Sequence, residues 1–154
     1  MIIIDTVEKL LASSCADMGV GAWYDVTQAR VNAFAECTGD LQYIHVDPQR
    51  AREAGLPGTI AHGFYTLSLL PLLARTRGGI QLKVPSRMAI NYGLNKVRFV
   101  TAVRIPSRIR LHTVLGDVTR VSDSVIQIVY RHTVEIEGET RPAVYAEAID
   151  RLFV

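Results

Sequence analysis

A long apolar segment between residues 59 and 77 constrains the fold more than any other feature of the sequence. Almost no polar face is left along it, and its large hydrophobic residues are Phe64, Leu67, Leu69, Leu70, Leu72 and Leu73. A helix that is apolar on all sides has to be buried. Pro71 predicts a kink or a break within the helix, and Gly78-Gly79 ends it. We therefore expect a buried central helix that the rest of the chain must cover.

The second half of the chain, from Met88 onward, has the pattern of β-strands. Apolar or β-branched residues alternate with charged ones over residues 108–115, and a β-branched run extends from residue 125 to residue 137. Glu137-Gly138-Glu139 is typical of a hairpin turn, and residues 144–153 form a last strand. Strands joined by short turns pair in an antiparallel sheet.

The packing of these elements predicts the architecture. One apolar helix and several long antiparallel strands satisfy each other when a curved sheet wraps around the helix, which is an α+β arrangement. The helix needs more cover than one sheet face supplies, and either the short helices or a second subunit would provide it. A length of 154 residues indicates one domain, residues 1–154.

The first half of the chain contains several helix signals. An apolar face from Val7 to Met18, followed by Gly19, predicts a first helix. Thr27 is placed to cap a second helix, and Gly39 to end it. Residues 40–45 are then expected to form a loop. A short helix should follow from Asp47-Pro48 to Gly55.

Composition and charge exclude several classes of function. A net charge of +2 without a dense basic block does not favour a nucleic-acid partner. Two cysteines make no disulfide framework in a chain of this length, and we expect both as free thiols packed like small hydrophobes. There is no CxxC or HExxH spacing, so no metal is expected. The lack of a signal-peptide pattern and of a membrane-length apolar run predicts a cytoplasmic protein without membrane partners.

The residues that can carry chemistry lie between positions 34 and 63. Asp40 and His45 are separated by one short segment, and Gly63 begins the apolar helix. A carboxylate and an imidazole can hold a water molecule and share its protons. A backbone N–H at a helix start can stabilise the enolate that forms when water adds to an unsaturated thioester. Taken alone, Asp40 is more simply a turn residue after Gly39, and His45 a loop histidine.

The ordered pattern around these residues resembles a known family. Thr38-Gly39-Asp40, Gln42-Tyr43, Ile44-His45, Asp47-Pro48 and His62-Gly63 follow one another as in the MaoC-like dehydratases, which include R-specific enoyl-CoA hydratases. Residues 91–93 and 95–99 are similar to the NodN-like subgroup. The resemblance covers most of the chain and implies a hot-dog fold, a sheet wrapped around a central helix. It also implies a homodimer with active sites near the subunit interface.

The resemblance implies an activity as well. Members of the family add water to, or remove it from, the double bond of an enoyl or 3-hydroxyacyl thioester. The catalytic pair maps onto Asp40 and His45, and the amide that binds the thioester carbonyl maps onto Gly63. The acyl group is carried by CoA or by a carrier protein, and no separate cofactor is expected. Many relatives have Asn-Pro where this chain has Gln42-Tyr43, which bears on substrate identity more than on reaction type.

Further residues are candidates for substrate binding. They are Gln42, Tyr43, His62, Ser68, Asn95, Lys96 and Arg98. Lys96 and Arg98 would bind the phosphates of CoA. His62 is more simply a residue that caps or orients the first turn of the central helix. Ser68 is equally well explained as a hydroxyl bonded back to its own helix.

Two other functions stay open from the sequence. Hot-dog proteins include thioesterases, and a carboxylate with a bound water can also attack a carbonyl carbon. The Gln42-Tyr43 difference also permits a binding or accessory protein that holds an acyl thioester without turnover.

Overall fold

A six-stranded antiparallel sheet forms the main layer of the structure, a computed structural model that describes residues 2–154. The strands are β1 (Ile3–Ile4), β2 (Asp17–Val20), β3 (Tyr24–Val26), β4 (Gln81–Leu82), β5 (Met88–Phe99), β6 (Ser107–Ser122), β7 (Val125–Ile136) and β8 (Val144–Phe153). The helices are α1 (Val7–Leu11), α2 (Gln28–Thr38), α3 (Tyr43–Val46), α4 (Pro48–Glu53), α5 (Gly63–Ser68) and α6 (Leu70–Ala74).

The order of the strands places one long strand at an edge. The order is β2-β6-β7-β8-β5, and β3 also pairs with β6. Strands β1 and β4 form a separate parallel pair. The hairpin that joins β7 to β8 turns at Gly138, whose φ is +77°. Within residues 2–154, β5 pairs only with β8, so its other edge is open along twelve residues.

The strand predictions from the sequence are confirmed. Four residues at alternate positions of β6 are completely buried, and they are Ile109, Leu111, Thr113 and Leu115. Because side chains alternate between the two faces of a strand, these four residues all lie on the face that is directed towards the central helix. Tyr65, Leu70 and Leu73 of that helix pack in the same core as Ile109 and Leu111. The sheet wrapped around a helix is the expected α+β hot-dog arrangement.

The central helix is shorter and less covered than predicted. It begins at Gly63 and not at residue 59, and it breaks at Leu69, between α5 and α6, just before Pro71. A proline cannot supply the backbone N–H that a continuous helix would need there. Phe64 is 69% exposed and Leu72 44% exposed. The single chain therefore leaves an apolar helix face open, and the short helices do not supply all of the cover that the sequence requires.

The first predicted helix is also too long. Helix α1 ends at Leu11, and Met18 lies in strand β2, where it is fully buried. Gly19 does not cap a helix but sits within β2 with a φ of +88°. A side chain there would meet the backbone of Gly79. Apolar spacing alone did not distinguish a second helical turn from a short edge strand.

The caps of α2 and α4 are confirmed, whereas the predicted loop between them is not wholly irregular. The Thr27 hydroxyl accepts a hydrogen bond from the N–H of Arg30, and Gly39 ends α2 with a φ of +80°. The Asp47 carboxylate caps α4. Within the segment predicted as a loop, α3 forms one helical turn and carries His45.

Cys15 and Cys37 are free thiols, as expected, but both are exposed and neither is packed in the core. No helix formed by residues 2–154 is long and apolar enough to cross a membrane.

Candidate active site

Three polar residues from two segments meet where α5 begins. Asp40 lies between α2 and α3, His45 lies on α3, and His62 directly precedes α5. Each contributes one side-chain atom to a group whose members lie within 4.8 Å of one another. His45 and His62 are buried, whereas the side chain of Asp40 is 54% exposed. The Asp40 carboxylate is therefore open to solvent, and the two buried imidazoles form the floor of the site.

The hydrogen bond to His45 determines which of its ring nitrogens is free. Its Nδ1 lies 2.7 Å from the carbonyl oxygen of Ile60. A carbonyl oxygen only accepts, so Nδ1 carries the proton and Nε2 has the lone pair of the neutral ring. Burial lowers the pKa of His45 below its usual value, and the Ile60 hydrogen bond opposes this shift. The neighbouring His62 lowers that pKa further, and Asp40 raises it.

His62 supports both partners of this pair. Its Nε2 lies 2.9 Å from the backbone oxygen of Asp40 and 3.8 Å from the Asp40 carboxylate oxygen Oδ2. Its ring stacks on that of His45 with the centroids 3.7 Å apart. The side chain does not cap α5. Instead it holds the Asp40 backbone against the floor of the site, and its Nδ1 is buried without a hydrogen-bond partner within residues 2–154.

Gln28 of α2 holds the short helix that carries His45, a role that the sequence analysis missed. Its Nε2 donates to the backbone oxygen of His45 at 2.6 Å, and its Oε1 accepts from the hydroxyl of Thr59 at 2.6 Å. Thr59 is buried, and it directly precedes Ile60, the acceptor for the His45 ring. Nothing in the local sequence indicates this role, because Gln28 follows a helix cap and matches no motif.

A cavity of about 330 Å³ opens beside His45 and Gly63. Its other walls are mainly apolar and include Phe64, Phe99 and Val144. Gly63 is the first residue of α5, so its N–H has no acceptor within the helix. A Cβ added to Gly63 would lie 2.8 Å from the Phe99 ring, so only glycine lets the ring come this close. The site thus combines a backbone donor and a neutral imidazole at an apolar cavity, and the Asp40 carboxylate belongs to the same side-chain group as that imidazole.

Thr101 is a second residue that the sequence analysis did not single out. It lines the same cavity, and its hydroxyl is buried without a hydrogen-bond partner in the described part of the chain. A hydroxyl in this state is available to a bound ligand.

Gln42 and Tyr43 lie at the start of α3, beside the site. The Gln42 side chain is exposed and does not cap the helix, although its backbone oxygen accepts from the His45 N–H at 2.9 Å. The Tyr43 ring packs under the guanidinium of Arg50 at 4.6 Å. Neither side chain lines the cavity that contains Gly63.

Four other candidates lie away from His45. The Ser68 hydroxyl donates to the backbone oxygen of Tyr65 at 2.7 Å, the helix bond considered as its alternative. Asn95 sits at an irregularity of the β5–β8 ladder. Lys96 lies 3.8 Å from Glu147, and Arg98 donates to the oxygen of Val97. None of these residues lines the cavity beside His45.

The Asp40, His45 and His62 cluster has the residue types of a metal site, which the sequence did not suggest. Its geometry does not favour one. Nδ1 of His45 and Nε2 of His62 each bond a carbonyl oxygen, so each carries a proton and cannot bind a metal ion. The rings stack at 26°, so their remaining lone pairs do not converge on one point. We interpret the cluster as a hydrogen-bonded acid–base group.

Comparison with known proteins gives one consistent family. A family model described as "MaoC like domain" matches residues 14–136. A protein named 3-hydroxyacyl-thioester dehydratase Z, from Mycobacterium tuberculosis, is 44% identical over 150 residues, covering 96% of this chain and 95% of that protein. Nodulation protein N from Rhizobium meliloti is 42% identical over 134 residues, covering 86% and 82% of the two chains.

The fold has close counterparts among solved structures. A monoamine oxidase regulatory protein from Archaeoglobus superposes with a TM-score of 0.79 at 18% identity, covering 99% of this chain and 98% of that one. At this identity the likeness shows the fold alone.

Proposed function

This chain belongs to the MaoC-like domain family, and from that premise we propose that it adds water to, or removes it from, the double bond of an acyl thioester. It is a hydro-lyase whose substrate pair is an enoyl and a 3-hydroxyacyl thioester. The observation that carries the proposal is the position of His45, whose Nε2 is free: it lies in one side-chain group with Asp40 and lines the same cavity as Gly63. The acyl group is carried by CoA or by a carrier protein, and no separate cofactor takes part.

The arrangement supports a specific division of work in the hydration direction. A water molecule held by the Asp40 carboxylate gives a proton to Nε2 of His45, and its oxygen bonds to the β-carbon. The electron pair of the double bond moves towards the thioester oxygen, where the Gly63 N–H stabilises the enolate. The imidazolium of His45 then returns the proton to the α-carbon, so one molecule of water is added and the enzyme is regenerated. Dehydration follows the same path in reverse.

The burial of His45 supports its role as the base. Its lowered pKa keeps the ring neutral near neutral pH, so Nε2 is available to accept a proton. The mainly apolar cavity excludes bulk water from the acyl chain and strengthens the hydrogen bond at the thioester oxygen. His62 and Gln28 act as positioning residues, because each bonds to the backbone of a member of the pair.

The test is a hydration assay on crotonyl-CoA that follows the loss of the enoyl-thioester absorbance. We expect turnover by the parent protein and a loss of about 100-fold or more in Asp40→Asn and in His45→Gln. Asp117→Asn is the matched control, because Asp117 is an exposed carboxylate on β6, away from the site. It should retain the parent rate.

Two outcomes would contradict the proposal. Release of free CoA, measured with a thiol dye, without loss of the double bond would indicate a thioesterase. Binding of enoyl thioesters of several lengths without any turnover, unchanged in Asp40→Asn, would indicate an accessory binding protein.

We also infer that the protein works as a homodimer joined through β5 and the open face of the central helix. Every residue of β5 except Val97 is exposed, and large apolar side chains are open there and on the helix: Phe64, Leu72, Met88, Ile90, Tyr92, Leu94 and Phe99. A long apolar edge strand is normally covered. A second copy related by a two-fold axis would pair the two β5 edges and cover both helices.

Light scattering after size-exclusion chromatography tests the dimer. We expect twice the mass of one chain for the parent and the mass of one chain for Ile90→Glu. Val121→Glu places the same charge at an exposed apolar residue of β6, 49% exposed, and should remain dimeric. A monomeric parent protein at micromolar concentration would refute the inference.

A further inference from the structure

A second, larger cavity of about 650 Å³ lies between the central helix pair and the sheet. The first cavity is bounded by α5 and the second by both α5 and α6, and each also contains residues of β5 and β8. Tyr92 and Leu94, which line the second cavity, belong to the face that we infer meets the second copy. The first includes Val144 of β8, and the second begins at Ala148. Four strand residues span about 13 Å. The second cavity therefore lies where the far part of a long acyl chain would arrive if its thioester bound at Gly63.

The second cavity contains polar groups that a simple hydrocarbon pocket would not need. Its walls include Arg77, Tyr130, His132 and Asp150, beside apolar residues of the helix. The Tyr130 and His132 rings stack with centroids 5.6 Å apart, and the Nδ1 of His132 bonds the Thr113 hydroxyl at 2.9 Å. Placing polar groups beside a hydrocarbon chain is unfavourable unless a partner satisfies them.

These groups keep hydrogen-bonding capacity that the described part of the chain does not use. The Arg77 Nε donates to the backbone oxygen of Ala74 at 3.0 Å, and its Nη1 makes only a 3.6 Å contact with the Met18 sulfur. Within residues 2–154 Arg77 forms no ion pair. Neither the Tyr130 hydroxyl nor the Asp150 carboxyl has a hydrogen-bond partner there. Two donors and one acceptor are thus left to face the cavity.

The charges around the cavity select the type of ligand. Burial raises the pKa of Tyr130, so its hydroxyl stays protonated and can donate. Asp150 raises that pKa further and Arg77 lowers it, and all three side chains line the same cavity. A ligand hydroxyl can accept from Tyr130 or Arg77 and donate to Asp150. A ligand carboxylate would be attracted by Arg77 but repelled by Asp150.

We propose that this cavity is a subsite for a hydroxyl group carried near the far end of a long acyl chain, bound between Arg77, Tyr130 and Asp150. The inference rests on the proposed function, since the thioester at Gly63 defines where the acyl chain begins. It goes beyond that function because it names a substrate class, the long-chain acyl thioesters that are hydroxylated far from the thioester.

Calorimetric titration with saturated CoA thioesters tests the subsite without requiring turnover. Matched pairs from octanoyl-CoA to dodecanoyl-CoA, with and without an ω-hydroxyl, would be compared. At one chain length the hydroxylated member should bind about tenfold more tightly, the value of roughly one good hydrogen bond. Tyr130→Phe and Asp150→Asn should each remove most of this preference. Tyr145→Phe is the matched control on β8, where the hydroxyl lies 3.4 Å from Glu147, and should keep it.

The preference is a ratio measured within one protein preparation, so partial unfolding of a variant does not imitate its loss. Equal affinities within every pair would overturn the proposal, and so would a preference that survives both Tyr130→Phe and Asp150→Asn. Tighter binding of the ω-carboxyl analogue would also overturn the assignment to a hydroxyl. Crotonyl-CoA turnover without a preference would refute the subsite alone. A preference without crotonyl-CoA turnover would refute the hydro-lyase alone.

Discussion

The imidazole rings of His45 and His62 stack with their centroids 3.7 Å apart and their planes inclined by 26°. Both rings are buried, and each bonds a backbone carbonyl, that of Ile60 for His45 and that of Asp40 for His62. Two adjacent buried rings cannot both be charged at little cost. The stack therefore orients the His45 ring and also disfavours its protonation.

The pH dependence of hydration should report the lowered pKa of His45. Burial is its largest cause, and the mechanism proposed above needs the neutral ring as the base. We therefore expect kcat/KM to be constant above the pKa of His45 in the folded protein and to fall as the pH drops through it, with a midpoint below about 6.5. His62→Gln removes one of the groups that lower this pKa, so the midpoint should move up. A parent midpoint at or above about 6.5 would contradict the assignment.

Loss of Gln28 should lower both activity and stability. In Gln28→Ala the backbone oxygen of His45 loses a donor, and the buried Thr59 hydroxyl loses its acceptor. An unsatisfied buried polar group costs about 1–3 kcal/mol of unfolding free energy, and a misplaced base lowers kcat by about tenfold or more. Urea unfolding and crotonyl-CoA kinetics measure the two effects.

Gln49→Ala is the control for this prediction. Within residues 2–154 the Gln49 side chain bonds only Glu53, on the surface of α4, so its loss should change stability by less than about 0.5 kcal/mol. Parent-like kcat in Gln28→Ala would show that the Gln28 contacts do not position His45.

The close contact between Gly63 and Phe99 should make Gly63→Ala impair activity through the aromatic ring. The new Cβ would lie 2.8–3.0 Å from three atoms of that ring. Phe99 is 48% exposed, so the ring can move at a cost of about 1 kcal/mol and would then narrow the cavity. We expect crotonyl-CoA kcat/KM to fall by about tenfold, the effect of about 1.4 kcal/mol.

The double variant Gly63→Ala with Phe99→Ala separates this clash from a direct effect on the amide. The loss of kcat/KM in the double variant is measured relative to Phe99→Ala. On a logarithmic scale it should be less than half of the loss that Gly63→Ala shows relative to the parent. No recovery would place the cause at the Gly63 backbone.

His132 should make stability depend on pH. Burial, with a smaller effect of Arg77, lowers its pKa from 6.5 to about 4. As the pH falls below 6.5, the unfolded state takes up a proton before the folded state does. The stability contribution is therefore complete above about 6.5 and decreases towards pH 4, by up to about 3 kcal/mol.

Urea unfolding at about pH 7 and about pH 4.5, at one protein concentration, measures this effect. His132→Gln should reduce the difference between the two pH values, although part of it will remain because the pKa of His45 is lowered as well. An unchanged difference in His132→Gln would refute the role of His132.

Local patterns in the sequence were sufficient for much of the fold. Thr27, Gly39 and Asp47 mark helix ends through hydrogen bonds and φ values within a few residues, and the structure has all three. The alternation along β6 needed only the two-residue period of a strand. The ordered motif from Asp40 to Gly63 likewise indicated the family. These features depend on neighbours in sequence, so the sequence alone determines them.

The machinery of the site was decided by the tertiary structure. Gln28 and Thr59 lie 31 residues apart, and Phe99 approaches Gly63 from the end of β5. The exposure of Phe64 and Leu72 depends on how far the sheet wraps around the helix. Such contacts follow from strand register and helix placement, which minimise the free energy of the whole chain. No local pattern specifies them, and only the folded molecule reveals which nitrogen of His45 is free.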